Sequence, residues 1–484
     1  MQNSIPMTAG VAPAVAIPAH DTDASLRQKI GRVLCIVVPV ALWFAPLDLE
    51  PQIKHTFAIV SFMILAWITE AVEYAVAGFI GCYLFWALGV VPFNVAFSGF
   101  ATDTPWFLFG ALLFGVMATK TGLARRLALV VMKRVGNTYP RILLGLIITD
   151  FLLTFIIPSG IARIVVMASV ALGLAETYGV GPGSNIGRAM FLILTYCSGL
   201  FDKMIIAGAA SITARGAIER VGGVDVLWSQ WFFAYLPVDI ITVLVCWRLT
   251  LWLYPPETKA IANATQYLDN EVRQMGSWTP ASTRAALLLS LAIGLWLTDF
   301  IHHIPPSVIG LGIGLAAVLP GIGVLAVDDM RKLNYLPVFF VATAISMGDV
   351  LVQTKTLGLM TDFMVSWMAP FVGNMFQTTL VLYWTAFVYH IFLASEISML
   401  GTSIPVLMDF AKTQGLDPLL IGMIWTFAAG GKLFAYQSAV LIVGMSYGYF
   451  NSRDLFRLGV MLTLVECVLV VLVVMFYWPL IGLR

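Results

Sequence analysis

The chain has 484 residues, of which 60 % are hydrophobic and 11 % charged, with a mean hydropathy of +0.91 and a formal net charge of +1. This composition excludes a soluble globular protein and describes a polytopic membrane protein whose first partner is the lipid bilayer. The near-zero charge excludes nucleic acid, because neutralising phosphates needs a concentrated basic surface.

Residues 1–30 are polar and read as a disordered cytoplasmic tail, without the basic start, short apolar core and small-residue cleavage site of a secretory signal. A spanning helix needs about 20 mostly apolar residues. On that ruler spans 1 to 4 fall near 31–47, 56–70, 75–92 and 105–120, with Glu70 and Glu73 closing the inner end of span 2. A basic cluster follows (Lys120, Arg125, Arg126, Lys133, Arg134, Arg141), which is read as a cytoplasmic loop.

Residues 142–178 hold two short apolar arms around PSGIAR (158–163), the pattern of a re-entrant hairpin entering from the cytoplasm. Span 5 (187–214) is interrupted by CSGLFDKMIIAG (197–208), and span 6 (228–254) ends at YPPE. A polar cytoplasmic segment, 256–284, leads to spans 7 (285–302), 8 (306–325) and 9 (334–352), with Arg331 and Lys332 between the last two. A second hairpin, 377–412, carries ASEISMLGTSIP (394–405) and enters from outside; span 10 (418–449) is interrupted at AAGGKLFAYQS (428–438), and span 11 covers 454–480. The N-terminus is then cytoplasmic and the C-terminus external, in a bacterial inner membrane.

The second half repeats the first. GVMATKTGL (115–123) and GDVLVQTKTLGL (348–359) each end a span ahead of a hairpin, and Lys203 and Lys432 take matching places in the interrupted helices. Five crossings separate the two units, so they have opposite orientation. The predicted fold is therefore all-α, with about eleven transmembrane helices in two inverted repeats, 31–255 and 285–484. Inverted repeats with discontinuous helices belong to secondary transporters, whose site lies where the helices break.

Ionisable groups inside a span are costly and are functional candidates by default. Arg163, Lys203, Lys432 and Glu396 all fall at tips or breaks, where helix N-termini add positive potential. The competing reading is that they pair among themselves, Arg163 with Glu396 or Lys203 with Asp202; recurrence in both repeats favours function for the two lysines. Asp150 and His390 read as hydrogen-bonding partners of neighbouring helices, Arg248 as a snorkelling side chain, and the 14 tryptophans as interface anchors. The five cysteines (Cys35, Cys82, Cys197, Cys246, Cys467) stand singly in apolar runs and read as small buried hydrophobes. No HExxH, GxSxG or paired carboxylates point to an enzyme, and no metal or other cofactor is expected.

AWITEAVEYAVAG (66–78), AFSGFATDTPWFLFG (96–110), KTGLARRLA (120–128), WFFAYLPVDI (231–240) with YPPE, and YGYFNSRDLFRLG (447–459) together resemble the divalent-anion:sodium symporters, carriers of citrate, dicarboxylates and sulfate. The resemblance implies a homodimer with a scaffold part and a mobile part that carries a dianion across by elevator movement. It also implies tips reading Ser-Asn-Thr, whose oxygens bind sodium and contact the substrate carboxylates. Here the tips read Ser159-Gly160-Ile161 and Ser395-Glu396-Ile397, so both serines remain and both asparagines and threonines are gone. The predicted substrate site joins Ser159, Gly160, Ile161, Arg163 and Lys203 to Ser395, Glu396, Ile397, Lys432, Gln437 and Ser438, with Ser159, Gly199, Ser395 and Glu396 the candidates for ion coupling. The expected substrate is a small di- or tricarboxylate, with sulfate as runner-up. Resident cations in place of sodium favour sodium-independent exchange; sodium- or proton-coupled symport is the alternative.

Overall fold

The computed structural model describes residues 26–136, 138–157, 159–257, 264–393 and 395–483. Most of the expected tail, 1–25, and the tip residues Pro158 and Ala394 lie outside the described residues. Residues 26–30, placed in that tail by the sequence, already belong to the first helix. The described residues form helices and no strand. Six of the described α-helices carry proline at their first or second position, where its missing N–H costs no hydrogen bond.

The first half opens with α1 (Leu26–Phe44), α2 (Pro51–Thr69) and α3 (Tyr74–Ala87). Glu70, in the left-handed conformation, ends α2, and Glu73 caps α3 by accepting from the Val76 N–H at 3.0 Å. Next come α4 (Asp103–Lys120) and α5 (Leu123–Val135), bent by 65° at Gly122. The basic cluster is thus not a loop. LARRLALVVMKRV carries an apolar face at helical spacing, and α5 lays that face on α6 (Tyr139–Thr154). After a break come α7 (Gly160–Thr177), α8 (Asn185–Met204), α9 (Ala209–Ala217) and α10 (Trp228–Leu253).

The polar connection holds α11 (Ala264–Gln274), which docks on α5 and α7 and pairs Glu271 with Arg125 and Asp269 with Lys133. Then come α12 (Pro280–Leu297) and α13 (Pro306–Ala316). The expected span 306–325 stops being helical at Ala316, because LPGIG turns the chain back and the Val324 and Leu325 N–H groups both donate to the Ala317 carbonyl at 2.8 Å. The second half continues with α14 (Leu336–Gln353), α15 (Thr356–Met364), α16 (Met375–Phe392), α17 (Glu396–Thr413), α18 (Pro418–Ala428), α19 (Ala439–Ser446) and α20 (Ser452–Leu472).

Seven helical stretches among the described residues are long and apolar enough to cross a membrane, and the bent α4–α5 pair adds an eighth. The order of α4 to α9 recurs in α14 to α19: two helices separated by two residues, two arms around a tip, then a broken helix. α4 packs on α13, α14 on α3 and α10 on α20, while α8 meets α19 and α9 meets α17, so the broken elements of one run lie against those of the other.

Tryptophans are core residues here as much as anchors. Trp67, Trp228, Trp231, Trp296, Trp425 and Trp478 are fully buried. Five of them give their indole N–H to an acceptor, as Trp231 does to the Lys203 carbonyl at 2.8 Å and Trp478 to that of Ala234 at 3.0 Å. An apolar ring with one polar atom can be buried at low cost once that atom is paired. The five cysteines are buried thiols without disulfides.

Candidate functional site

Backbone freed from helical bonding inside an apolar body has to find partners. At the first break the Ser211 hydroxyl lies 2.9 Å from the Asp202 carbonyl and 2.8 Å from that of Ile205. At the second, the Gln437 side-chain oxygen accepts from the Leu433 and Phe434 N–H groups at 2.7 and 2.8 Å. Satisfied in this way, the chain can restart as a helix in mid-body, and each restart presents unbonded N–H groups.

Four such restarts meet at one cleft of about 190 Å³. Its walls are Ser159, Gly160 and Ile161 opening α7, Gly208 to Ala210 opening α9, Ser395, Glu396 and Ile397 opening α17, and Ser438 to Val440 opening α19, with Asp202 beside them and Leu108, Leu112 and Pro337 closing the apolar side. Each helix N-terminus is equivalent to roughly +0.5 charge, so the four together match about two negative charges. Of the predicted substrate contacts, seven line this cleft: Ser159, Gly160, Ile161, Ser395, Glu396, Ile397 and Ser438.

The cations stand behind the wall. Arg163 is fully buried and bonded at every nitrogen: Nε donates to Asp150 at 3.1 Å, one terminal nitrogen to the Ile157 carbonyl at 2.9 Å, and the other to the Ser198 carbonyl at 2.6 Å and to Asp202 at 2.8 Å. Lys432 Nζ lies 2.9 Å from Glu396 Oε2 and 3.4 Å from the Gly199 carbonyl. Lys203 is deeper still, 4.0 Å from Glu466 and 3.3 Å from the Phe427 carbonyl, with its ammonium 4.7 Å from the centre of the Phe427 ring. The pairs weighed from sequence, Arg163 with Glu396 and Lys203 with Asp202, do not form. Each cation has another carboxylate.

The lysines share one more feature. A Cβ at Gly199 would lie 3.2 Å from Lys432 Nζ, and one at Gly430 would overlap Lys203 Nζ. Each ammonium therefore rests over a glycine of the opposite broken helix. Gln437, expected among the substrate contacts, is fully buried and spends its side-chain oxygen on the break itself. His390 bonds the Gln437 carbonyl at 3.1 Å, Asp150 holds Arg163 and Ser198, and Arg248 is exposed near the end of α10. Sequence reasoning passed over Asp202 as a wall residue, and over Asp239 and Glu466, acids fully buried within α10 and α20. The signal was present, since a lone acid in an apolar span is costly wherever it stands.

A curated citrate/succinate antiporter of Escherichia coli (strain K12) is 24 % identical over 498 aligned positions, covering 94 % of this chain and 99 % of that protein. An L-tartrate/succinate antiporter of the same strain is 23 % identical over 482 positions, covering 93 % and 97 %. A protein of Cupriavidus necator named only as a membrane protein is 25 % identical over 453 positions, covering 89 % and 88 %. The family described as the sodium:sulfate symporter transmembrane region matches residues 26–483, and the chain belongs to that family.

Proposed function

We propose that this protein is a secondary transporter that exchanges one small di- or tricarboxylate for another across the membrane, without sodium. The observation that carries this reading is the convergence of four helix N-termini on one cleft, which offers backbone N–H groups and the hydroxyls of Ser159, Ser395 and Ser438 to a dianion. The similarity to citrate/succinate and tartrate/succinate antiporters supports the same class of substrate and the same mode.

The oxygens around the two tips are largely occupied, which supports independence from sodium. Sodium is a hard cation that needs several oxygen ligands. At the first tip the carbonyls of Ile157 and Ser198 and the carboxylates of Asp150 and Asp202 are taken by Arg163; at the second, Lys432 takes the Gly199 carbonyl and Glu396. Most of the oxygens that would suit a mobile cation serve resident ones, and only Asp150 Oδ2 and Glu396 Oε1 among these carboxylate oxygens are buried without a hydrogen-bond partner among the described residues. The positive helix termini at the cleft also belong to the chain and stand uncompensated when it is empty, so return without cargo is slow and exchange is favoured. The repeated element order fits two inverted repeats and an elevator movement of the tips in a homodimer.

The test is uptake into proteoliposomes at clamped pH, with labelled succinate outside and with or without unlabelled succinate inside, in the presence and absence of sodium. Uptake that is strongly accelerated by internal succinate and ignores sodium is expected. Sodium-dependent or proton-driven uptake into empty vesicles restores symport.

A further inference from the structure

Two buried pairs at the cleft, Arg163–Asp202 and Lys432–Glu396, turn the carboxylate rather than the cation toward the space where a substrate would sit, and they differ in how tightly the cation is held. Glu396 is the first helical residue of α17 and lines the cleft. Its Oε2 holds Lys432 Nζ at 2.9 Å, while its Oε1 has no hydrogen-bond partner among the described residues. Lys432 has one other acceptor at hand, the Gly199 carbonyl at 3.4 Å, so its ammonium, with three donors, is under-used. Asp202 also lines the cleft, but it is bonded to a guanidinium whose donors reach three further acceptors.

We propose that Glu396 is a tethered counter-ion: its carboxylate occupies Lys432 in the empty carrier and gives up that ammonium to a carboxylate of the bound substrate. The two carboxylates are the same chemical group with the same charge, so one can replace the other on Lys432 with no change in the bonding required of the lysine. At the first position of a helix the Glu396 side chain can swing off Lys432 without disturbing the backbone bonds that hold α17. The inference rests on the transporter reading above. Its consequence is that the empty form is neutral at this pair, so a slow unloaded return survives and depends on Glu396; without the carboxylate, Lys432 is stranded in low dielectric until cargo arrives.

The experiment compares wild type and Glu396→Gln, purified and reconstituted, with succinate as probe. Binding is measured by calorimetry, exchange into vesicles loaded with succinate, and net uptake into vesicles without it. In Glu396→Gln the competitor is gone, so succinate Kd should fall several-fold, while net uptake relative to exchange should fall at least tenfold. Weaker or unchanged binding, or an unchanged ratio of net uptake to exchange, overturns the proposal; a merely structural lesion weakens binding and lowers both fluxes together. If Glu396→Gln does not fold, Glu396→Asp is read in the same way: the shorter carboxylate holds Lys432 less well, so both readouts should move in the same direction, and no movement overturns the idea. Failure of wild type to bind succinate, citrate, tartrate or sulfate is a different result, which overturns the transporter reading and this inference with it.

Discussion

The two tips solve one electrostatic problem with the parts exchanged. At the first, the cation comes from the hairpin (Arg163) and the acid at the cleft from the broken helix (Asp202); at the second, the acid comes from the hairpin (Glu396) and the cation from the break (Lys432). The first is a strut, since a planar guanidinium engages two carboxylates and two carbonyls at once. The second is a loose pair with an idle carboxylate oxygen. Two sites of similar sequence thus differ in bonding, one tightly held and the other with a carboxylate oxygen left over.

The most damaging way to break this contrast is Arg163→Ala, which leaves Asp150, Asp202 and two carbonyls without their donor. Removing one partner of a buried pair costs about 3–5 kcal/mol, so folded yield and thermal stability should collapse. Arg163→Lys should do little better, because one ammonium cannot span acceptors on three sides. The equivalent strike at the second tip, Lys432→Ala, should leave a folded protein with exchange nearly abolished and succinate Kd raised.

Lys203→Ala should also nearly abolish exchange, but with lowered thermal stability, because Glu466 then stands buried and unpaired. Wild-type exchange in both lysine variants would remove them from the mechanism. Next in size is Gly160→Ala, whose Cβ would lie 2.6 Å from Asp202 Oδ2 and 2.9 Å from Val440. Overpacking of that kind costs about 1–3 kcal/mol, and exchange should fall about tenfold or more, whereas Glu396→Ala at the matching position of the second tip adds no clash and should lower stability only through the unpaired Lys432.

The smallest effects sharpen the comparison at the caps. The Ser159 side chain accepts from the Ala162 N–H at 3.4 Å, while Ser395 makes no such bond with its side chain. Ser159→Ala should cost up to about 1 kcal/mol and Ser395→Ala still less, as read from thermal midpoints measured side by side.

The tips and breaks were legible in the sequence because glycine, serine and charge inside an apolar run have few other uses, and the wall of the cleft falls on the very residues flanking them. What could not be read was the direction of each polar side chain. Gln437 at a break serves equally well as a ligand or as a cap for the broken backbone, and only packing shows that it turns inward. Arg163 likewise reads as an anion contact until its acceptors are seen. The α5 helix was hidden by its own charges, since the basic residues that mark a cytoplasmic loop also suit the polar face of a helix lying along the body. Asp239 and Glu466 were missed because the reading attended to breaks and passed over acids in unbroken spans.

The crossed contact of each lysine with a glycine of the opposite broken helix has a consequence for inheritance. Positions 199 and 432, and positions 430 and 203, form two locks, each with its key on the other half of the chain. Where a descendant of this gene keeps lysine at 203, position 430 has to stay glycine, because any side chain there would occupy the ammonium's own volume. Loss of the lysine frees the glycine to drift. Substitutions at these four positions should therefore appear in linked pairs across the two halves, so that the halves, once arranged in this way, evolve as one unit.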